Sequence, residues 1–172
     1  MTLHAITVLG HDRPGIIAET TDRLAHLGLN LEDSSMTRLR GHFAMTLICA
    51  GDADADGIRA ALASLTDDGT LSVTVHEVPE EHVVALGGTS WVLSVHGGDR
   101  PGIVSAVAGV VAAAGGNITD LTTRLAGDLY VLVAEVELPA GADSTALAEE
   151  LREVAGRLGV GATLRPADTD EL

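Results

Sequence analysis

Two stretches of this chain combine residues that could bind an anion. The string Asp-Arg-Pro-Gly-Ile occurs at residues 12–16 and again at 99–103, each time between an apolar strand pattern and a helical pattern. Proline suits the first position of a helix, and glycine lets a ligand come close to the backbone. Because amides at a helix start are free and attract anions, each string predicts a site for a carboxylate. We expect the aspartate to accept hydrogen bonds from those amides.

The candidate residues are the same in both copies of the string. They are Asp12, Arg13, Pro14, Gly15 and Ile16 in the first copy, and Asp99, Arg100, Pro101, Gly102 and Ile103 in the second. A single copy of such a string is also a common way to begin a helix, with no ligand involved. Its return with all five residues unchanged leaves both interpretations, a helix cap and an anion site, open.

The repeat extends beyond the string. Gly28-Leu29-Asn30 stands at the same offset from the first copy as Gly115-Gly116-Asn117 from the second, and Asp33 matches Asp120. Repetition at a fixed period indicates a duplicated unit. Because the chain has 172 residues, the repeat predicts two domains of about 80 residues each.

The hydrophobic periodicity of each half predicts the order strand, helix, strand, strand, helix, strand. Split β-α-β units with right-handed crossovers give a four-stranded antiparallel sheet with both helices on one face. The predicted fold is thus α+β, with two ferredoxin-like βαββαβ domains at residues 1–79 and 89–166. Residues 80–88 are the predicted linker, and residues 167–172 are the predicted acidic tail.

Composition limits the classes of protein that fit. No apolar run approaches the ~20 residues of a membrane-spanning helix, and we expect no signal peptide before the first strand. The single cysteine, Cys49, excludes an internal disulfide. These features predict no membrane partner and a cytoplasmic location.

The chain is acidic throughout, with a formal net charge of −15. Residues 1–82 contribute about −8 and residues 83–172 about −7, so neither half is basic. Because phosphate neutralisation dominates affinity for nucleic acids, we expect no direct binding of DNA or RNA. Any effect on gene expression would pass through a protein partner.

The order strand, Asp-Arg-Pro-Gly-Ile, amphipathic helix, Gly-x-Asn, hairpin, helix and strand resembles the ACT domain, a ligand-sensing module of amino-acid metabolism. The resemblance covers nearly the whole chain, twice, and leaves no space for a separate catalytic domain. Two such domains in tandem look like the glycine cleavage system transcriptional repressor family. The first copy is also similar to the ACT portion of formyltetrahydrofolate deformylase, whose catalytic part is absent here.

The resemblance implies a non-catalytic regulatory protein that binds an amino acid, or a similar metabolite, at an interface between ACT units. In amino-acid-binding members, the residue before Arg-Pro-Gly and the asparagine that opens the second strand contact the ligand. In this sequence they are Asp12 and Asn30, then Asp99 and Asn117. The ligand's carboxylate would meet the amides near the glycine and its ammonium would meet the aspartate, while the asparagine would close the site.

Binding of this kind would report to a partner by changing how the domains associate. The implied partners are an amino-acid-like ligand and a protein, either a regulator or a metabolic enzyme, and no cofactor is implied. Glycine or one-carbon metabolism is the implied setting, and a homodimer is one assembly that the fold allows. We expect the two sites to be unequal, because Gly98 replaces His11 and Gly116 replaces Leu29.

Two other functions stay open. A pure interaction module, which pairs through its domains and binds no ligand, would share every feature above. An enzyme is a further alternative, with His11-Asp12 as its histidine–carboxylate neighbours, but no serine or cysteine nucleophile accompanies them. No metal site is predicted, since no histidine spacing is typical of zinc. The alternating acids Asp52, Asp54 and Asp56 lack the closing acid of a calcium loop.

Overall fold

The structure is a computed structural model that describes residues 1–79 and 88–167. The chain divides into two compact units, Met1–His82 and Val83–Leu172. The predicted linker, apart from Gly88, and the predicted acidic tail, apart from Ala167, lie outside the described residues. The domain limits drawn from the sequence therefore remain predictions.

The first unit has the order of elements that its periodicity predicts. Its strands are β1 Thr2–His11, β2 Asn30–Leu39, β3 His42–Gly51 and β4 Leu71–Val78. Its helices are α1 Ile16–His26 and α2 Ala55–Leu62, and a 3-10 turn at Ala63–Thr66 follows α2. The strands form one antiparallel sheet in the order β2-β3-β1-β4.

Strand pairing decides which residues meet at each end of this sheet. β1 runs antiparallel to β3 and ends with His11 opposite His42. β2 pairs with the other side of β3, from Asn30 opposite Ala50 to Leu39 opposite His42. The turn that joins β1 to α1 and the start of β2 therefore lie at opposite ends of the sheet.

The second unit repeats this fold. Its strands are β5 Thr89–Gly98, β6 Asn117–Ala126, β7 Leu129–Leu138 and β8 Val160–Pro166, in the order β6-β7-β5-β8. Its helices are α3 Ile103–Ala113 and α4 Ser144–Arg157. The predicted α+β, ferredoxin-like fold is thus confirmed in both units. In the described part of the chain, no helix is long and apolar enough to cross a membrane.

One face of each sheet carries the core. In the first unit His4, Ile6 and Val8 of β1 are fully buried on that face, as their alternation predicts. Residues of α1 and α2 join the same buried cluster. Arg23 of α1 also donates from Nη1 to the carbonyl oxygen of Ala61 in α2 at 2.9 Å, so the two helices contact each other over the sheet. Burial of each large apolar side chain contributes about 1.5–3 kcal/mol to folding.

Cys49 belongs to this core. It is a free cysteine, buried opposite His4 in the pairing of β1 with β3. Burial, with a smaller contribution from the charge of Glu32, raises the pKa of the Cys49 thiol above its usual value. Because the thiolate is the reactive form, burial and the raised pKa both disfavour reaction at this thiol, and Cys49 serves to pack the core.

Two of the helices begin at an aspartate. Asp54 Oδ1 accepts from the amide of Gly57 at 2.7 Å at the start of α2. Asp143 Oδ1 accepts from the amides of Thr145 and Ala146 at 3.1 and 3.0 Å at the start of α4. Asp54, the middle one of the three alternating acids, is therefore a helix cap.

Replacing Asp54 with alanine should lower the free energy of unfolding by about 1 kcal/mol, because the amide of Gly57 loses its acceptor. Urea unfolding followed by circular dichroism measures the change. Asp52→Ala is the matched control, since the Asp52 side chain is 93% exposed and its Oδ1 lies 3.9 Å from the N-terminal nitrogen. An equal loss of stability in both variants would contradict the cap.

Candidate functional site

Each Asp-Arg-Pro-Gly-Ile string forms the turn between the first strand and the first helix of its unit. In the first unit, β1 ends at His11 and α1 begins at Ile16, with Gly15 as its N-cap. Gly15 has φ 91° and ψ −7°, a left-handed conformation that glycine adopts without steric strain. Gly102 repeats it with φ 93° and ψ −4°. The two copies of the string thus share one backbone geometry.

This turn leaves backbone amides free at the helix start. The first helical hydrogen bond of α1 runs from the amide of Glu19 to the carbonyl of Gly15 at 2.9 Å. The amides of Ile16, Ile17 and Ala18 precede that bond and have no acceptor within the helix. Helix α3 begins in the same way, with its first bond at 3.0 Å. Both helix starts are therefore suited to an anion.

Two details of the predicted turn are wrong. Pro14 precedes the N-cap and is not the first helical residue, and no side chain among the described residues caps α1. Asp12 therefore does not accept from the helix amides, and its Oδ2 instead lies 3.3 Å from Nη1 of Arg38 on β2. The reason is that the N-cap position falls on Gly15, which has no side chain to accept from these amides, while the Asp12 carboxylate, three residues earlier, pairs with β2.

The first turn lines an open cleft of about 470 Å³. Its walls come from the turn, from the first residues of α1, and from one residue each of β2 and β3. The lining residues are Asp12, Arg13, Pro14, Gly15, Ile16, Ile17, Ala18, Met36 and Phe43. The structure therefore brings all five residues of the first string to one cavity of a size that holds a small metabolite.

Glu19 holds the arginine of the first turn. Its Oε2 lies 3.2 Å from Arg13 Nη2, and its Oε1 lies 2.9 Å from Arg23 Nη2. The hydrogen bond from Arg13, with a second from Arg23, lowers the pKa of the Glu19 carboxyl below its usual value. Since Arg23 also donates to Ala61 of α2, this network connects the turn to both helices of the unit.

The second turn keeps the string but has different charged neighbours. Strand pairing places Leu125 of β6 where the first unit has Arg38 of β2. Within the described part of the chain, Asp99 consequently has no ion-pair partner, whereas Asp12 has Arg38. The two turns therefore share a backbone geometry and differ in electrostatics.

The predicted asparagines do not join the turn of their own unit. Asn30 lies opposite Ala50, near the end of β3. His11, which precedes the turn, lies opposite His42, at the beginning of β3. About eight residues of β3 separate the two positions, or roughly 27 Å at the usual rise of a strand. Asn117 and Asp99 stand in the same relation along β7. A site that uses both residue types must draw them from two folded units.

Sequence reasoning missed Arg38 as a neighbour of Asp12, and it missed Met36 and Phe43 as walls of the cleft. These contacts depend on the register of the hairpin formed by β2 and β3. The signal that could have found them was Gly41, because a two-residue hairpin turn fixes the pairing of the residues on either side of it.

The histidine–carboxylate neighbours of the enzyme hypothesis have other partners. The ring of His11 contacts the ring of His42, with centroids 5.9 Å apart and planes at 77°. Asp12 pairs with Arg38. A base and a carboxylate that orients it are therefore not assembled at this point. Over residues 1–79 and 88–167, no group of three or more His, Cys, Asp or Glu side chains converges on one point.

Fold and cleft together define a class of protein: a βαββαβ module with a glycine turn at the start of its first helix, present twice in one chain. The family model of the ACT domain matches residues 3–76 and 90–164. The chain therefore belongs to the ACT domain family and carries two ACT domains in tandem. This confirms the resemblance drawn from the sequence.

Sequence relatives match one half of the chain. The UPF0237 protein of Listeria monocytogenes is 35% identical over 79 residues, which are 44% of this chain and 86% of that protein. A UPF0237 protein of Listeria innocua is 34% identical over 77 residues, with the same shares of the two chains.

Two solved structures are similar over nearly the whole chain. An unknown protein from Galdieria sulphuraria is 28% identical, covers 96% of this chain and 98% of its own, and has a TM-score of 0.79. A protein assigned as a glycine cleavage system transcriptional repressor is 18% identical, covers 96% and 97%, and has a TM-score of 0.71. The second likeness shows a shared fold.

Gly15→Ala should destabilise the protein by about 1–2 kcal/mol, because a residue with a β-carbon is strained in the left-handed region. Gly109→Ala, within α3, is the control and should stabilise by about 1 kcal/mol through helix propensity. An added β-carbon meets nothing within 4 Å at either position, so the difference isolates backbone strain. Urea unfolding measures both variants, and a Gly15→Ala protein as stable as the wild type would exclude the left-handed turn.

The lowered pKa of Glu19 predicts a pH dependence of stability. Because the folded state favours the charged form, the contribution is present above the ordinary carboxyl value of 4.5 and is lost as pH falls through the lower folded value. Glu19→Gln should therefore be less stable than the wild type at neutral pH, and this difference should shrink under acid conditions.

NMR titration of the Glu19 carboxyl gives a direct check of the cause. In Arg13→Ala its pKa should rise toward the ordinary value, since the largest stabilising hydrogen bond is gone. For the stability measurements on Glu19→Gln at neutral and acid pH, the control is Glu150→Gln, an exposed change on α4. A Glu19 titration that is the same with and without Arg13 would rule out the network as the cause.

Proposed function

We propose that this protein is a non-catalytic sensor of an amino acid or a similar small metabolite. The observation that carries the proposal is the repeated turn, in which an aspartate and free helix-start amides lie together and, in the first unit, line an open cleft. A free amino acid presents a carboxylate and an ammonium on one carbon. The amides suit the carboxylate, and Asp12 or Asp99 suits the ammonium.

In this proposal, Asn30 or Asn117 contacts a ligand that is held at the turn of a neighbouring ACT unit. Both are exposed where β2 and β6 begin, at the end of the sheet away from the turn. An amide side chain donates and accepts, so it can hydrogen-bond both the carboxylate and the ammonium of a ligand held on another unit's turn. Binding then stabilises the association of two units, and that change is what a partner detects.

A sensor of this kind acts through what it binds. The chain has a net charge of −15, and phosphate neutralisation dominates affinity for nucleic acids. The proposed partner that responds to this sensor is therefore a protein, either a regulator or a metabolic enzyme, in the cytoplasm. Glycine or one-carbon metabolism is the proposed setting, on the strength of the sequence resemblance.

One observation favours a second candidate, the interaction module without a ligand. In the first unit the Asp12 carboxylate is already paired with Arg38, and Arg13 is already paired with Glu19. A turn whose charges are neutralised internally can serve as a helix start alone. The second turn, where Asp99 has no such partner in the described chain, does not share this feature.

Thermal unfolding against the twenty amino acids and folate-linked one-carbon metabolites tests the proposal. A compound that binds only the folded state, at about 100 times its Kd, adds about 2.7 kcal/mol of stability and raises Tm by several degrees. Asp12→Ala and Asp99→Ala should each abolish the shift that depends on their turn. Asn30→Ala and Asn117→Ala should weaken it.

Glu150→Ala, an exposed change on α4, is the control and should keep the full shift. Sedimentation with and without the effective compound checks the change in association. If none of the compounds raises Tm, the sensor is rejected and the interaction module becomes the better account.

A further inference from the structure

The two histidines at the end of the β1–β3 pair lie side by side on the surface. His11 is opposite His42, both are exposed, and their ring centroids are 5.9 Å apart. The amide of Asp12 donates to the carbonyl of Gly41 at 3.1 Å. Because the flanking residues make this bond, the histidines form a non-hydrogen-bonded pair, in which opposite side chains are closest.

We propose that His11 and His42 bind one borderline divalent metal ion, such as Zn²⁺, Ni²⁺ or Cu²⁺. Neutral imidazole is a preferred ligand of these metals, and a metal–nitrogen bond is about 2.0–2.1 Å long. Two imidazoles on one metal then have centroids roughly 5–6 Å apart. The observed centroid spacing of 5.9 Å falls in this range, and binding would turn a nitrogen of each ring toward the shared ion.

The protein supplies two ligands to this site and water supplies the rest. Among the described residues, no third His, Cys, Asp or Glu joins the two histidines as a ligand. The neighbouring Asp12 is paired with Arg38. The ion is therefore held at the surface with open coordination positions, and it exchanges with solvent. The acidity of the whole chain, at −15, favours the approach of a cation.

The second unit lacks this pair. Gly98 and Leu129 occupy the equivalent positions at the end of β5 and β7. The chain should therefore bind one metal ion at such a position, in the first unit only. This site is independent of the amino-acid site proposed above, because it uses neither the helix-start amides nor the aspartates.

Calorimetric titration of the full chain with ZnCl₂ and with NiCl₂, in a buffer that does not chelate metals, tests the proposal. We expect one site, weakened about tenfold or more by His11→Ala and by His42→Ala alike, since each change turns a two-point attachment into a single one. His26→Ala and His96→Ala, at exposed histidines elsewhere, should leave the affinity unchanged. Circular dichroism confirms that each variant is folded.

Introducing the same histidine pair into the second unit tests whether the pair is sufficient to create a metal site. An added β-carbon at Gly98 meets nothing within 4 Å, so Gly98→His combined with Leu129→His should fit and bring a second site to the chain. A doubled stoichiometry supports the proposal. A wild-type chain that binds neither metal, or whose binding is as tight in His11→Ala or His42→Ala, overturns it.

Discussion

The left-handed glycine between the first strand and the first helix is the constraint on which the rest of each unit's site depends. Gly15 and Gly102 begin their helices by backbone conformation alone, and their carbonyls accept the first helical bonds. Because no side chain among the described residues is used as the cap of α1, the aspartate of the string is released for other partners. The free amides and the aspartate carboxylate at one turn can therefore each bind a different group.

Duplication has preserved this backbone while the charges around it have changed. The first turn is surrounded by ion pairs, with Asp12 held by Arg38 and Arg13 held by Glu19. Exposed ion pairs stabilise a fold only modestly, so the larger effect of these pairs is that they neutralise the charges of Asp12 and Arg13. In the second unit Leu125 stands where Arg38 would be, and among the described residues Asp99 has no ion pair like that of Asp12. One fold therefore presents two electrostatic environments.

The ferredoxin-like fold does not by itself specify a function, since function depends on the groups brought together at a site. In this chain the turn and the asparagine of one unit lie at opposite ends of a sheet, too far apart to hold one small molecule. A ligand that needs both therefore depends on association between units. In the function proposed above, this dependence would couple the binding of a metabolite to a change in assembly.

The sequence by itself determined the duplication, the order of elements, the buried face of β1 and the turn that carries the string. These features are local or periodic, so neighbouring residues specify them. Its expectation that Asp12 caps the helix failed because the N-cap residue is Gly15, which has no side chain, and Asp12 pairs with Arg38. Only the tertiary structure decided that Arg38 meets Asp12, that Met36 and Phe43 wall the cleft, and that His11 meets His42. Those contacts depend on strand register, and a shift of one residue would turn every side chain to the other face of the sheet.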